Sequence, residues 1–352
     1  MLTDCHPIEL APTYYSVDFY IFRYGTCMAD QVFDVDLLAF ENGDSATRNA
    51  VVDGVMQSLQ TGFVYSAHDI SQDFLDDVYG KLAEFFALST EEKSSAIADG
   101  TNGQRGYTGL LVETAAISEI PDWKEMLNWG KDIPHGHPLK NRYPHRFFDN
   151  SFPEKLVPGI TDALETFHEE VLRLQLRFLR IIALGLNCSE SFFDSFVPGG
   201  ATLSRAIHYP AMNLAPTESH VWAEEHGDIN LITALPRSTA KGLQIKTEEG
   251  WIEALPPDGY LIMNTGIMLE HLSNGAIPTG IHRVVADPDQ TGDRLSIVQF
   301  CHPSPWTILS PLKSCITEDR PQKYAPITAA DRLDQVLWEI NLLENSRRIE
   351  ES

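Results

Sequence analysis

From Phe33 onward the alternation of apolar and polar positions becomes regular. FDVDLL reads as a short strand and residues 45–59 as a helix, after which TGFVYSAH alternates as a strand entered through Gly62. In SQDFLDDVYGKLAEFFAL, residues Phe74, Leu75, Val78, Leu82, Phe85 and Phe86 recur at helical spacing, with Ser71 as the expected N-cap. A longer helix is expected from about Pro158 to Leu186, where Leu164, Phe167, Val171, Leu174, Phe178, Ile181 and Ile182 form one broad apolar stripe. Core packing accounts for both stripes.

Beyond Asn187 the pattern shortens. TLSRAIHYP, INLITALP, GLQIKT, GWIEAL, GYLIMNTG, HRVVAD and RLSIVQF alternate over a few residues each and are separated by Gly, Pro, Asn and Asp. Many short strands at regular spacing predict a barrel or a two-sheet jelly roll. ITAADRLDQVLWEINLLE then turns helical again. The expected fold class is therefore α+β. A helix-rich region spans 1–187, a β-rich core 188–320, and a helical segment packing on that core 321–352. Residues 1–30 are aromatic-rich and carry no assignable pattern, and the chain has no internal repeat.

Composition narrows the function. Hydrophobic residues make up 43% of the 352 positions and charged residues 22%, an ordinary globular balance. The net charge of −24, from 26 basic and 50 acidic residues, argues against nucleic-acid partners and against docking on an anionic membrane. The five cysteines are scattered with no CxxC pair, which fits free thiols in a reducing compartment. With no signal-like N-terminus and no run of apolar residues long enough to span a bilayer, the expectation is a soluble cytoplasmic protein, with a monomer as the simplest state.

Of the twelve histidines, most need only a surface or packing role. His135 and His137 sit in a Pro-His-Gly-His-Pro loop without an acidic or cysteine partner at matching spacing. His226-Gly227-Asp228 differs. Residues at i and i+2 of an extended segment point to one face, so an imidazole and a carboxylate can converge, with Gly227 leaving the far side open. The apolar INLITAL follows, and 56 residues after His226 a second candidate, His282, opens HRVVAD. Two histidines and one carboxylate leave three positions free on a metal, an arrangement suited to Fe(II) and O2; zinc uses the same ligand types. Twelve residues further on, Arg294 and Ser296 share a strand face and can hold one carboxylate together.

At this point the sequence resembles the Fe(II)- and 2-oxoglutarate-dependent dioxygenases of the isopenicillin N synthase-like type, from about Phe33 to Leu343. FDVDLL, TGFVYSAHDI, FFALSTEEK, RGYTGLLVETA and PDWKEMLNWG carry the N-terminal likeness. RAIHYP, HGD, GLQI, GWIEALPPDGYLIMNTG, LEHLSNG, HRVV and RLS carry it through the β-rich part, in the family's order. The resemblance implies a double-stranded β-helix with iron on His226, Asp228 and His282. It further implies a 2-oxoglutarate cosubstrate whose distal carboxylate meets Arg294, Ser296 and the Tyr209 hydroxyl, and O2 as oxidant of a small-molecule C–H bond by hydroxylation, desaturation or cyclisation. Relative to the family's pattern, Ile207 replaces a frequent Asn, Ile267 an acidic residue, and DPDQTGD enlarges the turn before Arg294. Ile207 and Ile267 are thus candidate substrate neighbours. So are Arg205, on the face of Tyr209, and Arg105, Tyr107 and Trp123, in the segment that covers the family's pocket mouth.

Three rival readings remain at this stage. One is an Fe(II) oxidase of the same fold that works without 2-oxoglutarate. Another is a binding protein that retained the fold. The third is a zinc hydrolase drawing its base from Glu224 or Glu225.

Overall fold

The computed structural model describes residues 31–101, 103–114, 120–287 and 290–339. The chain enters through strand β1 (Asp34–Asp36), helix α1 (Leu37–Asn42), α2 (Ser45–Ser58), β2 (Phe63–Ala67), α3 (Gln72–Phe86) and α4 (Thr90–Ser94). Next come β3 (Gly106–Thr108), β4 (Glu125–Gly130), α5 (Pro138–Arg142) and the 26-residue α6 (Ile160–Gly185). The β-rich part holds β5 (Leu203–Tyr209), β6 (Ala223–His226), β7 (Ile232–Leu235), β8 (Leu243–Thr247), β9 (Gly250–Glu253) and β10 (Tyr260–Thr265). After α7 (Ile267–Leu272) follow β11 (His282–Val284), β12 (Arg294–Cys301), the short pair β13 (Ile308–Leu309) and β14 (Ile327–Thr328), and α8 (Ala329–Glu339).

Three local differences from the sequence pattern have physical causes. FDVDLL is a strand only to Asp36, because that carboxylate then caps α1, Oδ1 accepting from Leu38 N (2.8 Å) and Ala39 N (3.1 Å). Ser71 does occupy the N-cap of α3, but its side chain accepts no hydrogen bond from the helix. The LEHLSNG stretch begins within α7, a six-residue helix too short to announce itself by period. The final part of the expected C-terminal helix, residues 340–344, and residues 1–30 lie outside the described residues.

Eight strands form one mixed sheet in the order β1-β2-β10-β7-β12-β5-β4-β3, and four form a second, β6-β11-β8-β9. Alternation divides the large sheet's side chains between two cores. On one face Leu127, Trp129, Ala206, Leu295 and Ile297 meet Leu164, Phe167, Val171, Leu174 and Phe178 of α6. Polar pins lock that helix in register: Trp129 Nε1 donates to Leu164 O (2.8 Å), and Gln175 Nε2 to Ile232 O (3.2 Å) and Gln299 O (2.9 Å). On the other face Phe63, Tyr65, Met126, Ile207, Tyr209, Leu235, Ile262 and Val298 pack with Ala223, Leu243, Ile245 and Val284 of the small sheet. The cleft between the sheets is therefore lined by the alternate residues that avoid α6.

Candidate active site

His226 ends β6 and His282 opens β11, and the two are direct cross-strand partners with ring centroids 4.3 Å apart. Each imidazole is fixed by a backbone carbonyl two residues upstream. His226 Nδ1 lies 2.7 Å from Glu224 O, and His282 Nδ1 lies 3.0 Å from Gly280 O. A carbonyl only accepts, so Nδ1 carries a proton in both rings, and the neutral tautomer this selects has its lone pair on Nε2. Asp228 stands beyond the end of the ladder. Its Oδ2 accepts from Thr233 Oγ1 (2.5 Å) and Asn264 Nδ2 (2.8 Å), which orients the carboxylate and leaves Oδ1 free.

One ligand atom from each of the three residues falls within 4.8 Å of the others. Burial alone would raise the Asp228 pKa, but the His282 and His226 charges and the Asn264 and Thr233 hydrogen bonds hold it below the usual range. His226 is open to solvent at its edge, yet desolvation of the ring, and secondarily His282, pulls its pKa to about 4. The site thus offers two imidazole nitrogens and one carboxylate, the donor types a divalent metal requires. Gly227 is needed for a different reason than expected: a Cβ there would meet Thr279 Cγ2 at 2.7 Å, so the far side is closely packed rather than open.

Arg294 and Tyr209 also oppose each other, at the meeting of β12 and β5, and Ser296 opposes Ile207. The Arg294 guanidinium is buried, donates through Nη1 to Ser296 Oγ (3.0 Å) and through Nε to Ala240 O (3.2 Å), and lies 5.1 Å from the Tyr209 ring centre. Burial pulls its pKa below the usual arginine value. Among the described residues no carboxylate stands within ion-pair distance of it. A buried cation without a counter-charge is costly, so an anionic ligand fits this place.

The other sequence candidates separate. Arg205 and Ile207 line the cleft face of β5 with Tyr209, and Ile207 is buried in the inter-sheet core. Ile267 abuts the metal-ligand loop through its backbone, N donating to Asp228 O at 2.8 Å. Arg105 is buried near Gly130, at the β4 end of the same face. Tyr107 does not face the cleft. It opposes Leu127, so the register turns it to the α6 side, where its hydroxyl donates to Glu125 Oε2 (2.5 Å). Trp123 is buried and secures β6 from outside its ladder, N donating to Val221 O at 2.8 Å. Glu225 pairs with Lys246, and the Glu224 backbone N–H donates to Asp122 Oδ1 (3.3 Å). His137 caps α5 and joins no metal-like group among the described residues.

Thr233, Asn264 and Ala240 were not anticipated. Thr233 and Asn264 did leave a trace, as polar residues interrupting INLITALP and GYLIMNTG at positions that face the cleft.

Two facing sheets thus bring together a His-Asp-His cluster that could hold a metal ion and a buried arginine that, among the described residues, has no carboxylate partner. Residues 202–303 match the family model of the 2OG-Fe(II) oxygenase superfamily. Residues 32–155 match that of the N-terminal region of non-haem dioxygenases in morphine synthesis. Kihadalactone A synthase of Citrus sinensis is 30% identical over 286 residues, 78% of this chain and 83% of that protein. A solved 2OG-Fe(II) oxygenase family protein from Caulobacter crescentus is 30% identical, superposes with a TM-score of 0.76, and shares 88% of this chain and 99% of its own. A full-length Neurospora crassa protein, solved in complex with alpha-KG, is 28% identical with a TM-score of 0.75 over 87% of this chain and 95% of its own. The chain belongs to the 2-oxoglutarate–Fe(II) oxygenase superfamily and is an oxidoreductase of that class.

Proposed function

We propose that the protein is a dioxygenase that oxidises a C–H bond of a small molecule, with Fe(II) held by His226, Asp228 and His282. The 2-oxoglutarate distal carboxylate meets Arg294, Ser296 and the Tyr209 hydroxyl. The observation that carries this reading is the pairing of two unlike sites between the same two sheets: a nitrogen and carboxylate donor set, and a buried guanidinium with no carboxylate at ion-pair distance among the described residues. When bound, the iron and the keto acid supply the redox chemistry with O2. The protein's own residues do the rest. The Glu224 and Gly280 carbonyls keep the ring protons on Nδ1, and Thr233 and Asn264 aim Asp228. Arg294 and Ser296 fix the cosubstrate's far end, and Ile207, Met126 and Val298 exclude water along the cleft wall.

The arrangement of the two sheets supports the double-stranded β-helix (jelly roll) for this core. We keep the division into a helix-rich region to residue 187, a catalytic core over 188–320 and a C-terminal segment from 321 as a functional reading only, since β1, β2, β3 and β4 of the first region complete the large sheet of the core. All six proposed ligands come from one chain, in keeping with a functional monomer, and the described cysteines Cys188, Cys301 and Cys315 are free, in keeping with the cytoplasm. No helix among the described residues is long and apolar enough to cross a membrane.

The test is spectroscopic. Anaerobic Fe(II) with 2-oxoglutarate should give a visible charge-transfer band that Asp228→Ala and His282→Ala abolish and Arg294→Gln weakens. An unchanged band in the first two variants sinks the ligand set. Succinate release stimulated by a small molecule separates this enzyme from an oxidase that needs no keto acid.

A further inference from the structure

Among the described residues only two arginines are buried, Arg294 and Arg105, at 2% and 4% exposure, and neither has a carboxylate within ion-pair distance. The more accessible Arg48, Arg146, Arg177, Arg180 and Arg237 all do. For Arg294 a cosubstrate carboxylate supplies the missing charge. Arg105 carries the same signature with no assigned ligand. Its Nη1 donates to the carbonyl of its own neighbour, Gln104 O (2.6 Å), its Nε has no partner, and burial pulls its pKa down to about 10.

The register shows where this charge sits. The guanidinium lies over Gly130, where a Cβ would come within 2.3 Å of Nη2, so the glycine makes room for it. Gly130 opposes Leu203, Leu203 opposes Phe300, Phe300 opposes Thr233, and Thr233 opposes Asn264. These residues form one cross-strand row on the cleft face, and Thr233 and Asn264 are the two that aim Asp228. Gly130 is three strands from Thr233, about 14 Å at ~4.8 Å per strand. The adjoining row pairs Arg205 with Val298 on one side and Asn128 on the other. Arg205 Nε donates to Asn128 Oδ1 (2.7 Å), while the buried Asn128 Nδ2 has no partner. The only carboxylate near Arg205 among the described residues is Glu113, at 3.5 Å, and Lys124 shares it at 3.4 Å.

We propose that the substrate carries a carboxylate, and that Arg105, Asn128 and Arg205 form its subsite at the β4 end of the cleft. The inference rests on the iron and 2-oxoglutarate reading above. A carboxylate there accepts from the Asn128 amide and a planar guanidinium and neutralises Arg105. The separation from the Asp228 anchors selects a substrate whose oxidised carbon lies several bonds from its acid group.

The test uses the full chain loaded with Fe(II) and 2-oxoglutarate without O2. Its melting temperature is read against a panel of aliphatic and aromatic monocarboxylic acids, each beside its primary amide. Acids should stabilise the protein where amides do not, and the best acid should bind about tenfold or more tightly than its amide, as a charged hydrogen bond implies. Arg105→Gln should erase the preference. Asn128→Asp, which supplies the missing negative charge internally, should erase it too while raising the melting temperature of the acid-free protein. In both variants the 2-oxoglutarate titration should be unchanged. Equal response to acids and amides in the wild-type protein overturns the subsite, as does a preference that survives Asn128→Asp; that variant decides if Arg105→Gln does not fold. Loss of the charge-transfer band in the wild-type protein would strike the metal reading instead, since acid preference is read by melting temperature alone.

Discussion

Asp228 depends on two neutral side chains from two strands of the large sheet. Thr233→Val keeps the shape of that contact and removes one hydrogen bond, so the carboxylate is free to turn. Fe(II) or Co(II) affinity should fall roughly 10–100-fold, as is usual when a ligand's supporting hydrogen bond is lost. A calorimetric metal titration reads this, and an affinity equal to wild type would show that Asn264 alone suffices. A second residue-scale expectation concerns His168, which is buried on α6 with Nδ1 2.8 Å from Ser204 Oγ and Nε2 unpartnered. Burial lowers its pKa from 6.5 to about 3. Between those values the unfolded chain binds the proton and the folded one does not, so stability is intact above about 6.5 and is lost as pH falls toward 3. Urea unfolding at about pH 7.5 and about pH 5 should show a smaller loss for His168→Gln than for wild type, by up to ~1.4 kcal/mol per pH unit within that window. Equal losses would place the acid sensitivity elsewhere.

At the scale of elements, the ends of β4, β5 and β12 are held together on the α6 side by one polar cluster. Glu125 accepts from Lys93 Nζ (2.8 and 2.9 Å) and Tyr107 Oη (2.5 Å), and it pairs with His208 Nδ1 (2.7 Å), whose Nε2 faces Asp293 (2.9 Å). His208 and Asp293 immediately precede Tyr209 and Arg294, so the cluster braces the proposed cosubstrate pair from behind. Lys93→Met leaves the buried Glu125 short of its main cation and should destabilise the protein by about 3–5 kcal/mol. Adding Glu125→Leu should recover part of that loss in denaturant melts, and strict additivity would argue against the pairing.

This scale also explains what the sequence could and could not disclose. The strands β5, β8, β10 and β12 were legible as short runs rich in Ile, Leu and Val set between Gly, Pro, Asn and Asp, although β10 and β12 are almost wholly buried. β4 was not, since EMLNWG puts polar Glu125 and Asn128 on opposite faces, so no alternation forms. β6 was hidden because AEEH carries charge along most of its length. The His226, Asp228 and His282 set was legible because its ligands sit at strand ends. Thr233 and Asn264 were harder, because a polar residue within a strand announces no partner until the sheet is assembled.

Across the whole molecule, the acidic surface and the cationic cleft are complementary facts. A chain of net charge −24 keeps Arg294 and Arg105 buried with no carboxylate at ion-pair distance among the described residues, and Arg205 beside an anion it shares. Small anions are repelled at long range by such a surface and held only at short range. Raising ionic strength should therefore speed 2-oxoglutarate association, because screening weakens the repulsion. Stopped-flow association rates that fall with salt would contradict this.

The two histidines belong to the four-stranded sheet, whereas the aspartate is aimed by strands of the eight-stranded one. An ion held by all three would therefore rivet the two layers together. Breathing of one sheet against the other would be paid for in metal affinity. Hydrogen exchange of the β6 and β11 amides should slow markedly on loading with Fe(II) or an inert surrogate, while the interior of α6, far from the seam, keeps its rate.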